Sequence, residues 1–159
     1  MNATDHETIS KVGIEFLSGK SRIFWETQKE LIKIASNFCD IFWPCEASNS
    51  AMLEKYPDWA LYCKIEQPDG KIVPIHSFFD PMSNEQFWKT YPWCLKKLAD
   101  GIFSSLRNND IELAAKFVGS FSHIVATPDN LHIFLIFSRW LLSFSSAVKS
   151  NTFTAKWKL

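Results

Sequence analysis

Four histidines, His6, His76, His123 and His132, are the residues of this chain best suited to holding a divalent metal near neutral pH. Two of them fall in the segment from Ala114 to His132. Phe117, Val118 and Phe121 recur there at helical spacing, which predicts an amphipathic helix with one buried face. His123 lies near its end, because Pro128 forbids much continuation. Thr127, Pro128, Asp129 and Asn130 then make a polar break before His132. A helix that carries a His on its inner side, then turns and presents a second His, can hold metal ions. Taken alone, two such His are more often structural.

The other two histidines sit in separate elements. Thr4 or Asp5 can cap a first helix whose apolar set is Ile9, Val12, Phe16 and Leu17, with Gly19 as its stop. His6 falls in its first turn, where the positive end of the helix favours the neutral imidazole that metals bind. His76 lies in Ile75-His76-Ser77-Phe78-Phe79-Asp80-Pro81, a His among aromatics with an acid four residues on. A second helix is expected over about Ile23 to Phe38, with Leu31, Ile34, Ala35 and Phe38 on one side and Glu26, Lys29, Glu30 and Lys33 on the other. Asp40 follows among large apolar residues. Burying it unpaired would be costly, so a surface position just after the helix is expected.

From Cys45 to Pro81 the chain reads as an irregular insertion punctuated by Tyr56-Pro57-Asp58, Pro68-Asp69-Gly70 and Asp80-Pro81. Leu61 to Glu66 and Lys71 to Ile75 can pair as a small hairpin through Pro68-Asp69-Gly70. A long helix is then expected over about Asn84 to Arg107, capped by Ser83 and kinked or split at Pro92. Its apolar set is Trp88, Tyr91, Leu95, Leu98, Ile102 and Leu106. Asp110 is placed to cap the helix that carries His123. These segments predict an all-α, compact multi-helix domain of about four or five helices.

The composition bounds the partners. With 159 residues the chain is long enough for one domain with a real core. Lys plus Arg and Asp plus Glu are 17 each, so no net field draws it to polyanions. Cys39, Cys45, Cys63 and Cys94 show no Cys-x-x-Cys spacing, and the opening residues lack a signal-peptide pattern. Reduced cysteines and a cytoplasmic location are therefore expected.

Taken together, the four histidine contexts resemble the bacterial zinc-dependent phospholipase C family, whose fold is shared with single-strand-specific zinc nucleases. His6-Glu7-Thr8-Ile9, with Gly13 and Leu17, resembles that family's N-terminal His-x-x-Ile helix. Tyr56-Pro57-Asp58 is similar to its Tyr-Pro-Asp segment, which carries an early metal-binding Asp. His76-Ser77-Phe78-Phe79-Asp80-Pro81 resembles its His-Phe-Trp-Asp-Pro element. Asp110, Ala114 and Phe117 through His123 are similar to its helix ending Tyr-Leu-Gly-x-x-x-His. The likeness covers roughly residues 4 to 132. It implies a domain over 1–132 with zinc as cofactor and His6, Asp58, His76, His123 and His132 at ligand positions. It further implies hydrolysis of a phospholipid or other phosphodiester by metal-bound hydroxide, with no covalent protein intermediate. Closely spaced zinc ions hold the nonbridging phosphoryl oxygens and acidify a bound water.

The departures are specific. The family bridges two metals through an Asp four residues after the first His of its His-Tyr-x-Gly-Asp-x-x-x-Pro-x-His pattern; here that position is Thr127. Asp129 is displaced by two residues, a substitute ligand only if the backbone rearranges. The family's late His and Glu have no counterpart after His132, and its amino-terminal Trp is replaced by Met1-Asn2. Residues 133–159 form an atypical apolar segment. Its run from Ile133 to Leu142 is short and interrupted by Arg139, so no transmembrane span is expected.

Two function classes follow. One is a zinc-dependent phosphodiester hydrolase with a reduced metal set, at most one firmly bound zinc, and weak activity. In it, phospholipid is favoured over nucleic acid by the seven Trp and the lack of net positive charge. The alternative is a catalytically inactive or truncated relative that acts as a helical binding module.

Overall fold

Eight helices and one two-stranded ladder make up the computed structural model, which describes residues 3–41, 50–79 and 83–126. The helices are α1 (Ala3–Glu15), α2 (Gly19–Glu26), α3 (Lys29–Ile41), α4 (Ser50–Lys55), α5 (Ala60–Cys63), α6 (Ile75–Phe79), α7 (Asn84–Arg107) and α8 (Ile111–Ala126). Strands β1 (Lys64–Glu66) and β2 (Ile72–Pro74) form the ladder between α5 and α6. The fold is all-α, as the periodicities predict, with eight helices among the described residues where four or five are expected. None of the described helices is long and apolar enough to cross a membrane.

α8 is the centre of the domain. Eleven of its residues, from Ala114 to Ala126, are buried, and it packs against α3 on one side and α7 on another. α1 lies across α3 and α8. The α3–α8 approach depends on a missing side chain. A Cβ at Gly119 would lie 2.6 Å from Ala35 Cβ, 2.6 Å from the Ile32 carbonyl oxygen and 2.9 Å from the Ser36 nitrogen. Gly119 therefore lets the two backbones touch, which brings the α3 carbonyls within reach of α8 side chains. Gly101 on α7 instead leaves room for a side chain, the ring of Phe117.

The caps explain why the two long helices begin where they do. Ser83 accepts from the Gln86 amide while the Gln86 side chain accepts from the Ser83 amide, a reciprocal capping box. Asp110 accepts from the Leu113 amide at 3.0 Å and starts α8. Pro92 lies inside α7, which runs through it as one helix and is not split. Only one ladder bond is lost there, and the apolar face of Tyr91, Cys94, Leu98 and Ile102 is buried along the helix.

Several expected boundaries differ. The helix expected from Ile23 to Phe38 is two helices, broken at Thr27 and Gln28. Thr27 folds its hydroxyl back onto the Phe24 carbonyl at 2.7 Å, a local bond that competes with continuation. Gly19 does not end α1 at its own position: α1 stops at Glu15, and Gly19, with φ +55°, opens α2. The irregular middle is more ordered than expected, since it contains α4, α5 and α6. Its hairpin pairs Lys64 with Pro74, Ile65 with Val73 and Glu66 with Ile72, and residues 61–63 belong to α5. Gly70, with φ +86°, and Asp69, accepting from the Lys71 amide, shape the turn.

Candidate metal centre

Four elements each deliver one polar side chain to the same place. α1 contributes His6, α3 contributes Asp40, α6 contributes His76 and α8 contributes His123. Asp40 is the hub. Its Oδ2 lies 3.3 Å from His6 Nε2, and its Oδ1 lies 2.8 Å from His76 Nε2 and 3.9 Å from His123 Nε2. His76 Nε2 and His123 Nε2 are 2.7 Å apart, and the rings of His6 and His123 stack with centroids 4.0 Å apart. His6, Asp40 and His123 each offer one donor atom, all within 4.8 Å of one another.

The hydrogen positions follow from the partners. His123 Nδ1 lies 2.7 Å from the Ser36 carbonyl oxygen, which can only accept, so Nδ1 carries a hydrogen. Burial first, then the neighbouring His6 and His76, push the His123 pKa down to about 3, so the ring is neutral. Its Nε2 is therefore a bare lone pair aimed at the cluster. His76 Nε2 must then carry the hydrogen between them, which it also directs to Asp40 Oδ1. Burial alone would raise the Asp40 pKa. Hydrogen bonds from His6 and His76 outweigh it and hold the carboxyl well below the usual carboxylate range.

Imidazole nitrogens and a carboxylate oxygen are ligand types that zinc takes. The group whose donor atoms lie close enough together to share an ion is His6, Asp40 and His123, and His76 lies against it. One hydrogen now sits among a carboxylate oxygen and a bare imidazole nitrogen, which is where a larger cation would find its ligands. The Ser36 carbonyl fixes the tautomer and orientation of His123, as outer partners commonly do for ligating His. His6 Nδ1 is buried and has no hydrogen-bond partner among the described residues. His76 is the most accessible of the rings, 23% exposed against 3% for His6 and none for His123.

The expected set is thus brought together in part. His6, His76 and His123 converge. Asp58 does not join them: its Oδ2 is 2.5 Å from Lys116 Nζ, and Lys116 lies two helical turns before His123 on α8. A carboxylate already neutralised by a lysine is a poor metal ligand, and the acid at the cluster is Asp40. Asp40 is accordingly not a solvated residue beyond a helix. It sits in the last turn of α3, one turn beyond Ser36, whose main-chain carbonyl meets His123. Its signal in the sequence was an acid inside the run Phe38-Cys39-Asp40-Ile41-Phe42, a placement that requires polar partners. Thr127, Asp129 and His132 lie outside the described residues, as do Asp80 and the segment 133–159. Cys39, Cys63 and Cys94 are buried and free.

No family model matches the chain, and no curated protein and no solved structure matches it either.

Proposed function

We propose that this protein binds one zinc ion through His6, Asp40, His76 and His123 and hydrolyses phosphodiesters weakly, phospholipid before nucleic acid. The observation that carries this reading is the convergence of three histidines and one aspartate from four helices, with the His123 lone pair fixed inward by Ser36. No local sequence reason brings residues 6, 40, 76 and 123 together. The resemblance to the zinc-dependent phospholipase C family supplies the reaction class, and zinc when bound supplies charge neutralisation and an acidified water.

The chain's own residues limit the rate. Four protein donors would leave zinc no open position for water in a tetrahedral shell, so activity would require one donor to give way. His76, the most exposed ring, is the donor able to yield. Asp40 keeps its charge throughout the ordinary pH range and offsets part of the positive charge a phosphate needs. One ion with such a shell favours binding over turnover.

Metal analysis of protein purified without added metal tests the reading, followed by zinc titration and cleavage assays on phosphatidylcholine vesicles and a small aryl phosphodiester. About one zinc per chain and slow cleavage that Asp40→Ala abolishes are expected. A chain that takes up no zinc would overturn it.

A second reading has its own observation. Asp40 already accepts from both His6 and His76, so the cluster can stand as a polar network that fixes four helices. That describes an inactive relative serving as a helical binding module. Zinc uptake separates the two.

A further inference from the structure

We infer that Asn37 orients His6 for the metal: its Oδ1 accepts the Nδ1 hydrogen of His6 when His6 Nε2 is given to the ion. The inference rests on the zinc reading above and concerns a residue outside the ligand set.

The two helices that carry these residues run past each other in register. His6 meets Asp40, Glu7 meets Asn37, and Glu7 also approaches Lys33 at 4.0 Å, so successive positions of α1 descend along α3. Residues 6 and 7 thus face residues 37 and 40. Asn37 Nδ2 donates to Glu7 Oε1 at 2.8 Å. A carboxylate can only accept, so the amide cannot be turned the other way, and Oδ1 is the end left over. Asn37 is 8% exposed and its Oδ1 is buried without a hydrogen-bond partner among the described residues. His6 is 3% exposed and its Nδ1 is in the same condition.

Two buried polar atoms left over at one helix–helix contact are costly, at about 1–3 kcal/mol for each such group. They become complementary on metal binding. An imidazole that ligates through Nε2 carries its hydrogen on Nδ1 and is then a donor, while Asn37 Oδ1 is an acceptor. The same site already shows the pattern once. His123 donates its Nδ1 hydrogen to the carbonyl of Ser36, the residue immediately before Asn37 on α3. One turn of α3 would thereby set both inward imidazoles, through a main-chain carbonyl for His123 and a side-chain carbonyl for His6. Glu7 contributes by holding the amide in place.

Competition of the purified protein with a chromogenic chelator for Zn2+ tests the assignment, since it reads affinity without any turnover. Asn37→Leu keeps the volume and removes the acceptor, and its zinc dissociation constant is expected to rise tenfold or more. Asn37→Asp restores an acceptor and is expected to recover most of that loss, although it breaks the bond to Glu7. Glu7→Ala breaks the same bond, leaves Asn37 Oδ1 in place and is expected to cost less than Asn37→Leu. Wild-type affinity in Asn37→Leu would overturn the inference, as would a Glu7→Ala loss equal to that of Asn37→Leu. The wild-type protein gives a further check that no folding defect can confuse. Long-range proton–nitrogen spectra of the zinc-loaded chain should show His6 protonated at Nδ1 and ligated at Nε2, and a His6 ligated through Nδ1 or not at all refutes the inference. A wild-type chain that binds no zinc fails the metal reading itself. Zinc binding that ignores Asn37 fails only this step.

Discussion

Asp40 and Asp58 are similarly exposed, 37% and 30%, and both contact side chains carried by α8. Asp40 meets His123 together with His6 and His76; Asp58 meets Lys116. One carboxylate is surrounded by groups that can give up a proton and bind a cation in its place. The other is matched to an ammonium whose charge is fixed. Burial therefore does not separate the two acids; their partners do. A lysine holds three hydrogens and no lone pair, so Asp58–Lys116 has nothing to offer an ion. An imidazole has a nitrogen to spare, and the proposed zinc site draws on those that surround Asp40.

The sharpest way to break this comparison is to remove each charge in turn. Asp40→Asn, nearly the same shape, is expected to weaken zinc binding at least a hundredfold, about 2.7 kcal/mol. Asp58→Asn is expected to leave zinc stoichiometry and affinity unchanged. Zinc titration of the two variants side by side reads both outcomes. Zinc loss in Asp58→Asn with retention in Asp40→Asn would reinstate Asp58 as the ligand.

Gly119 tests the scaffold under the Asp40 side of the comparison. Gly119→Ala places a methyl 2.6 Å from Ala35 Cβ and from the Ile32 carbonyl oxygen, all of them buried. Backbone must move, because none of these atoms is the end of a flexible side chain. A loss of about 1–3 kcal/mol is expected in denaturant unfolding, larger than the usual helix gain from replacing glycine. The same variant should lower zinc affinity, since Ser36 would draw back from His123, and should leave Asp58–Lys116 intact. Unchanged stability would show that α3 and α8 do not need their close approach.

How much of this was legible in the sequence depends on which force sets each feature. Helices α7 and α8 follow from period and caps, which are local: Ser83, Asp110 and the spacing of Tyr91, Leu98 and Ile102 mark them. The Pro68-Asp69-Gly70 turn declares the hairpin for the same reason. The break at Thr27 was not legible, because a threonine hydroxyl bonding back to Phe24 competes only weakly and tertiary packing decides. Three of the clustered residues, His6, His76 and His123, stand out because histidine is scarce. Asp40 did not, since which acid faces three histidines is settled by how α1, α3, α6 and α8 cross. The Tyr-Pro-Asp likeness drew attention to Asp58, and only the fold shows Lys116 beside it.

Acidification sharpens the contrast from the histidine side. In the folded chain the His123 pKa is about 3, against an ordinary value of 6.5 that it regains on unfolding. Between those limits the unfolded chain binds the extra proton, so stability falls as pH drops, by roughly 1.4 kcal/mol per unit. Above pH 6.5 the ring is neutral in both states and no slope arises. Asp40, depressed in the fold, contributes stability that is present above its ordinary carboxylate pKa and is lost below it, so it adds slope only at lower pH. Urea unfolding of zinc-stripped protein at pH 7.5 and 5.5 is expected to show the loss, and His123→Asn should remove it. Stability that stays flat over that interval would mean the ring is not held neutral.

The smallest expected effect belongs to the Asp58–Lys116 pair. Lys116 is 14% exposed and its Nζ also lies 5.8 Å from the centre of the Tyr62 ring, so most of the side chain is packed. A fully buried pair that loses one member costs about 3–5 kcal/mol, whereas an exposed pair is worth about 0–1. This pair is intermediate, and Lys116 can extend toward solvent when its partner is removed. Asp58→Asn and Lys116→Met are each expected to cost about 1–2 kcal/mol, with a coupling of about 1 kcal/mol in the double-mutant cycle. Met preserves the packing on Tyr62, so the cycle reports charge and not lost volume. Neither variant should alter zinc affinity, because two turns of α8 separate Lys116 from His123. A coupling near zero would make Asp58 a surface acid whose contact with Lys116 is incidental. A shift in zinc affinity in Lys116→Met would show that the two carboxylates act on one site, and the contrast between them would no longer hold.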